Sequence, residues 1–279
     1  MATKLTLNGG IALVTGAASG IGKEVSFAFA EAGVKGVVFA DINEQGAQEA
    51  AAECKGLATN AEFRAVVVKV DVTDEASVQN MVETAVKEFG RIDYSVNSAG
   101  VGNISNAVTP FVKATVFDKT MNINIKGTML CVRAVSNVMA NQEPLTHTSR
   151  HGTRSLGRGS IVNLGSINSY IGAPAMLAYT TSKHAVIGLT KSAAIDGAKI
   201  QVRVNAVCPS WADTPMLQAG LQKVPQLEQM IKAISPARRA AVTEEVADYV
   251  LFLCSPSATY INGTGLRIDA GITVTAHAM

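Results

Sequence analysis

The chain has no CxxC pair, no apolar run long enough to cross a bilayer and no marked excess of either charge. Its four cysteines, Cys54, Cys131, Cys208 and Cys254, lie far apart among 279 residues and are expected to be reduced, buried thiols of a cytosolic protein. A spanning helix needs ~20 apolar residues, and residues 1–10 also lack the apolar stretch of a signal peptide. A soluble, cytoplasmic protein is therefore expected. Lys plus Arg number 24 against 22 Asp plus Glu, which gives no electrostatic reason to expect nucleic acid or a membrane surface as partner. Internal repeats and domain linkers are missing too. What is present suits an ordered globular body: 48% of residues are hydrophobic and 16% charged, in a length that can form one domain over 1–279.

Short β-branched runs alternate with longer segments of helical period. Strands are expected at 11–14, 37–40, 65–70, 94–97, 160–164, 202–207 and 265–268. Several are apolar throughout, as strands covered on both faces must be. Helical stretches read at 20–32, 43–55, 76–89, 116–139, 177–198 and 243–253. Such alternation implies an α/β fold: a doubly wound, parallel, seven-stranded Rossmann-type sheet flanked by helices. Two segments break the rhythm. Residues 141–159, rich in Pro, Gly, Ser, Thr, His and Arg, read as a solvated surface loop. Residues 211–240, with Pro215, Pro225 and Pro236, read as one or two short helices forming a movable lid over a substrate.

The first strand runs into Thr15-Gly16-Ala17-Ala18-Ser19-Gly20-Ile21-Gly22. Glycines there permit a tight turn and close approach to a pyrophosphate, and the following helix N-terminus offers free N–H groups. The spacing is GxxxGxG rather than GxGxxG, a weak signal in isolation. Asp41 closes the second strand, nineteen residues after Gly22. A carboxylate there can accept hydrogen bonds from both hydroxyls of an adenine ribose and repel a 2′-phosphate. No Arg or Lys stands inside the glycine loop or directly after Asp41, so NAD is expected over NADP. The plainer reading is that Asp41 caps the next helix. Asp71 could stand beside the adenine or serve as a turn acid ahead of Thr73-Asp74.

Tyr179 and Lys183 are four apart in a helical segment and share a face. A tyrosine ordinarily titrates near ~10, and an adjacent ammonium favours the phenolate. Ser166 follows the fifth strand, thirteen residues before Tyr179, where its hydroxyl could meet the same substrate oxygen. A YxxxK match alone is more often surface than site. His147 and His151 are also four apart, but no Cys or carboxylate accompanies them, so no metal site is expected. His184 adjoins Lys183, yet the GxSxG elbow of a hydrolase is missing.

Taken together, TGAASGIG at 15–22, NSAG at 97–100, NxxG at 124–127, Ser166, YTTSK at 179–183 and the stretch from Asn205 to Pro209 resemble the short-chain dehydrogenase/reductase family in its single-domain form. The match runs over nearly the whole chain. The resemblance implies a tetrad: Tyr179 as acid–base, Ser166 polarising the substrate oxygen, Lys183 lowering the Tyr pKa and holding the nicotinamide ribose, and Asn124 holding a relay water. It implies cofactor contacts at Gly16, Ser19, Gly20, Ile21, Gly22, Asp41, Ile42, Asp71, Val72, Asn97, Ala99, Gly100, Tyr179, Lys183, Pro209, Ala212 and Thr214. It also implies a homodimer or homotetramer, paired through the helices that carry Asn124 and Tyr179 and around the C-terminal strand. The sequence departs from the pattern at Ser210, where Pro-Gly is usual, at Ser98, and in the length of 141–159.

The function expected is NAD(H)-dependent interconversion of a secondary alcohol and a ketone, mainly by oxidation. The substrate is expected to be a bulky, hydrophobic small molecule of specialised, secondary-metabolic kind, packed against Trp211, Met216, Leu217 and Met230. An NADPH-dependent ketoreductase is the first alternative. A redox-silent binding or pericyclic protein on the same fold is the second.

Overall fold

The computed structural model describes residues 5–7 and 9–274. Seven parallel strands, β1 (Ile11–Thr15), β2 (Gly36–Asp41), β3 (Arg64–Lys69), β4 (Tyr94–Asn97), β7 (Gly159–Leu164), β8 (Val202–Pro209) and β9 (Gly265–Ile268), form one sheet in the order β3-β2-β1-β4-β7-β8-β9. Every residue of β1, β4 and β8 is buried, because helices cover both faces. The side chains divide by the two-residue period of the strand. Ala12, Val14, Val37 and Phe39 pack with α1 (Gly20–Glu31), α2 (Glu44–Cys54) and α9 (Thr243–Cys254). Leu13, Val38 and Ala40 turn to the other layer, α3 (Glu75–Phe89), α5 (Thr128–Ala140) and α6 (Leu177–Ala198). All four cysteines are free and buried.

Seven expected strands and five of the six expected helices are found, with ends shifted by one or two residues. The helix expected over 116–139 is not continuous. It divides into α4 (Ala114–Met121), a π-helical turn (Asn122–Gly127) and α5. Two hydroxyls bond back one turn within this stretch, Thr120 to the Val116 carbonyl at 3.0 Å and Thr128 to the Asn124 carbonyl at 2.8 Å. Wide π turns of this kind arise where a side chain must be aimed away from the regular helical position. Here the side chain is Asn124, which is buried.

Residues 141–159 are largely solvent-exposed, as expected, but they are a hairpin rather than an irregular loop. They hold an antiparallel hairpin, β5 (Leu145–Ser149) and β6 (Gly152–Gly157), pairing His147 with Arg154 and Thr148 with Thr153. Its strands are mostly polar, so no hydrophobic alternation announces them. Its base is fastened by a buried amide. Gln142 Oε1 accepts from the Ile92 N–H at 3.2 Å, and Nε2 donates to the Ile92 carbonyl at 2.8 Å and to the Arg158 carbonyl. Arg158 N–H donates to the Gln201 carbonyl at 2.7 Å, and Arg154 Nη2 to the Pro256 carbonyl at 2.7 Å.

The 211–240 segment carries two short helices, α7 (Pro215–Lys223) and α8 (Leu227–Ile234). Its two ends are joined. Asp213 N–H donates to the Ala241 carbonyl at 2.8 Å, Ala241 N–H to the Trp211 carbonyl at 2.9 Å, and Arg239 pairs with Glu245 at 2.7 Å.

Deleting the Gln142 amide leaves buried donors and acceptors at Ile92 and Arg158 without partners. Gln142→Ala is expected to lower unfolding stability by about 2–4 kcal/mol, whereas Thr148→Ala on the exposed hairpin should stay within about 0.5 kcal/mol. Urea unfolding of both variants checks this.

Candidate active site

The crevice lies beyond the carboxyl ends of β1, β2 and β4, where the strand order reverses and crossovers leave in opposite directions. Its volume is about 800 Å³. Gly16, Ser19, Gly20, Ile21, Asp41, Ile42, Asp71, Val72, Ala99, Gly100 and Thr214, all anticipated from sequence, line it. Gly16 has φ +70°, and a Cβ there would lie 2.8 Å from the Ala99 nitrogen. Only glycine fits. Ser19 precedes α1 without making a capping hydrogen bond, and the first turn of α1 holds no acid, so its amides are left for another acceptor.

Asp41 faces the crevice with both oxygens braced. Oδ2 accepts from the Ala18 N–H at 3.0 Å and Oδ1 from the Asn43 N–H at 2.9 Å. Asn43, not Asp41, is the N-cap of α2, and its side chain accepts from the Gly46 N–H. Asp71 lines the crevice while bonding Thr73 N–H and Oγ1 at 2.9 and 2.7 Å, so it is a turn acid as well. These groups fit a dinucleotide: a backbone cradle, an uncapped helix end and an oriented carboxylate.

Six of the anticipated cofactor residues do not line the crevice. Gly22 is a packing glycine, since a Cβ on it would lie 2.2 Å from the Gly16 carbonyl oxygen. Asn97 turns into the sheet, donating to Asn163 Oδ1 at 2.8 Å and joining β4 to β7. Pro209 closes β8, and Ala212 bridges to Ala241. Tyr179 and Lys183 belong to a second group.

Ser166 stands at the start of a 3₁₀ turn, Ile167–Ser169, directly after β7. Its Oγ accepts from the Asn168 N–H at 3.2 Å, which leaves its own hydrogen free to give. Tyr179 and Lys183 share one face of α6, with Nζ 5.7 Å from the phenol ring centre. Burial raises the Tyr179 pKa, and a hydrogen bond with Ser166 pulls it back. Desolvation of the phenolate sets the direction, opposite to the lowering expected from the ammonium. Burial also brings Lys183 down to about 8. Its Nζ donates to the Leu164 carbonyl at 2.7 Å. Asn124 Oδ1 accepts from the Val101 N–H at 2.9 Å, and Nδ2 donates to the Val101 carbonyl at 3.1 Å and Ser182 Oγ at 3.0 Å. Ser182 Oγ in turn donates to the Tyr179 carbonyl at 2.7 Å. Asn124 thus connects the π turn, the β4 loop and α6.

Sequence reading missed the crevice wall formed by Thr115, Asp118, Lys119, Asn122 and Ile123. Their spacing of three and four is that of one helical face, a signal that was available. Thr214 is the N-cap of α7 and lies over Gly20, while Met216 covers Gly102. Ser210, in place of the usual glycine, donates its N–H to the Ile268 carbonyl at 3.0 Å and does not have positive φ. The backbone here does not demand glycine.

Known proteins share this arrangement. Residues 16–273 match the family profile described as enoyl-(acyl carrier protein) reductase. The short-chain dehydrogenase anuF of Penicillium roqueforti (strain FM164) is 48% identical over 272 residues, covering 97% of this chain and 98% of the relative. Levodione reductase superposes with a TM-score of 0.84 at 30% identity, over 95% of this chain and 98% of its own. A 3-ketoacyl-(acyl-carrier-protein) reductase from Brucella melitensis complexed with NADH superposes at 0.80 with 29% identity, over 95% and 98%. With a single doubly wound sheet, a glycine cradle at its switch point and a Ser–Tyr–Lys group beyond the carboxyl end of β7, the chain belongs to the short-chain dehydrogenase/reductase family.

Proposed function

We propose that this oxidoreductase removes hydride from a secondary alcohol, with NAD⁺ as the dinucleotide, and returns it in the reverse direction. The observation that carries the choice of NAD is Asp41, a carboxylate at the crevice wall with each oxygen braced by a backbone N–H. Each oxygen keeps a lone pair for a ribose hydroxyl, and the charge disfavours a 2′-phosphate. Lys119 on α4 is the one cation among the described lining residues; Lys69, opposite Asp41 in the β2–β3 register, is not among them.

When bound, the dinucleotide supplies the hydride acceptor. The chain's own groups handle the proton. Ser166 donates to the substrate oxygen and orients it toward Tyr179. As the carbinol C–H bond breaks and the C=O bond forms, Tyr179 Oη takes the hydroxyl proton. Lys183 holds positive charge close to the forming carbonyl and the phenolate. Asn124 fixes α6 against the β4 loop, so that the phenol keeps its register with the glycine cradle. Met216, 54% exposed, and Met230, 46% exposed, offer apolar lid surface to a bulky hydrophobic substrate.

The helix pair proposed for dimerisation keeps exposed apolar side chains, Met129 on α5 and Leu177 and Ile195 on α6. No helix among the described residues is long and apolar enough to cross a membrane. We propose a cytoplasmic homodimer or homotetramer. Sedimentation equilibrium should give a multiple of 29.0 kDa; a 29.0 kDa particle would reject the assembly.

Initial rates with both dinucleotides test the cofactor. NAD⁺ is expected to be favoured by roughly 100-fold in kcat/KM, about 2.7 kcal/mol, and Asp41→Ser to shrink the preference below about tenfold. A preference of the unaltered chain for NADP⁺ overturns the assignment.

Tyr179→Phe is expected to reduce turnover by about 10³-fold or more. The raised phenol pKa sets the sign of the pH profile. Oxidation needs the phenolate, so its kcat/KM should climb as pH rises into the alkaline range. Reduction needs the phenol and should decline over the same range. Rate–pH curves in both directions check this, and retention of most activity by the Phe variant would point instead to a protein that uses the fold without acid–base chemistry.

A further inference from the structure

Ser166 and α6 are joined by a side chain outside the tetrad. Ser169, 4% exposed, accepts from the Ser166 N–H at 3.2 Å and donates to the Lys183 carbonyl at 2.7 Å through one hydroxyl. Its neighbour Asn168 makes a second tie, donating from Nδ2 to Thr180 Oγ1 at 3.1 Å. One bridge ends at Lys183 and the other beside Tyr179, so the 3₁₀ turn is fixed to both ends of the YxxxK stretch.

We infer that Ser169 is a positioning residue: by linking the Ser166 amide to the Lys183 carbonyl, its hydroxyl sets how close Ser166 stands to the Tyr179–Lys183 pair. The inference rests on the function proposed above. The site is built to admit the hydroxyl. A Cβ at residue 165 would lie 3.0 Å from Ser169 Oγ and 2.6 Å from Cys208 Sγ, so Gly165 provides the room. A hydrogen-bond donor that is buried loses its water and must find another acceptor. Without Oγ, the Ser166 amide would have the Cys208 sulfur, a weak acceptor, as its remaining neighbour. The turn would then relax, and Ser166 would move relative to the phenol. That contact matters because the Ser166 hydrogen bond opposes the upward push of burial on Tyr179. The titratable groups around the pair are few. Lys183 faces Tyr179 from the same helix, Cys208 faces both from β8, and Tyr170, at the end of the turn, faces Cys208.

The experiment compares Ser169→Ala and Ser169→Thr in the full chain. It measures kcat, KM, NAD⁺ affinity by fluorescence titration, thermal midpoint, and the ultraviolet difference titration of Tyr179 against Tyr179→Phe. For Ser169→Ala, kcat should fall about 30-fold, because small displacements of a catalytic group are costly. KM and NAD⁺ affinity should stay within about twofold, and the phenol midpoint should rise by about half a pH unit or more, since a bond to the charged form is weakened. Ser169→Thr keeps the oxygen and should restore kcat to within about threefold and the midpoint to its original value. If the Ala variant does not fold, Ser169→Cys, with its weak sulfur acceptor, carries the same expectation. Unchanged kcat and midpoint overturn the inference. So does an equal loss of kcat, NAD⁺ affinity and thermal midpoint, which would mark a purely structural serine. A chain that oxidised no alcohol would sink the proposed function alone, because the phenol titration needs no substrate.

Discussion

The crevice exists because two backbone turns meet without a side chain between them. At the end of β1, Gly16 lies so near the backbone at Ala99 that a methyl group would overlap it. The turns after β1 and β4 can therefore stand side by side where the strand order reverses. Everything downstream uses that meeting. The uncapped start of α1 points into the space it opens, Asp41 closes one wall, and Asn124 grips Val101 at the end of the other. A larger residue at position 16 would separate the turns and displace the cradle from the Ser166–Tyr179 group.

Much of this was legible from residue type and spacing. Apolar runs bounded by glycine or aspartate mark parallel strands well, and α6 spans the residues its periodicity indicated. Eleven of the anticipated cofactor residues line the crevice because the glycine turn and the strand-end acids have local causes. The failures have a common physical source, namely structure decided by distant contacts. Nothing between Val116 and Met139 announces that Asn124 must reach Val101, so residue spacing alone predicts an ordinary helix where the π turn stands. The hairpin at 145–157 is likewise polar on most of its surface. It is ordered by Gln142 and Arg158 bonding to Ile92 and Gln201, residues remote in the chain.

Electrostatics supplies a subtler lesson. Reading Lys183 as an ammonium beside a phenol predicts a more acidic tyrosine, because a nearby cation stabilises the phenolate. Folding also removes both groups from water, and each then prefers its neutral form. Burial raises Tyr179 and brings Lys183 to about 8, so the two values move apart and both groups are pushed toward their neutral forms. The hydroxyl of Ser166 then opposes that push, since a hydrogen bond to the phenolate favours it without requiring a second ion.

The hairpin is attached at Ile92, Gln201 and Pro256, at the amino ends of the strands, whereas the crevice and Ser166 lie at their carboxyl ends. A strand of six residues separates these ends by roughly 20 Å. The arginine- and histidine-bearing ribbon is thus a handle on the far side of the molecule from the crevice. A change in its length or charge would leave the geometry of the crevice and of the Ser166–Tyr179 pair as it is.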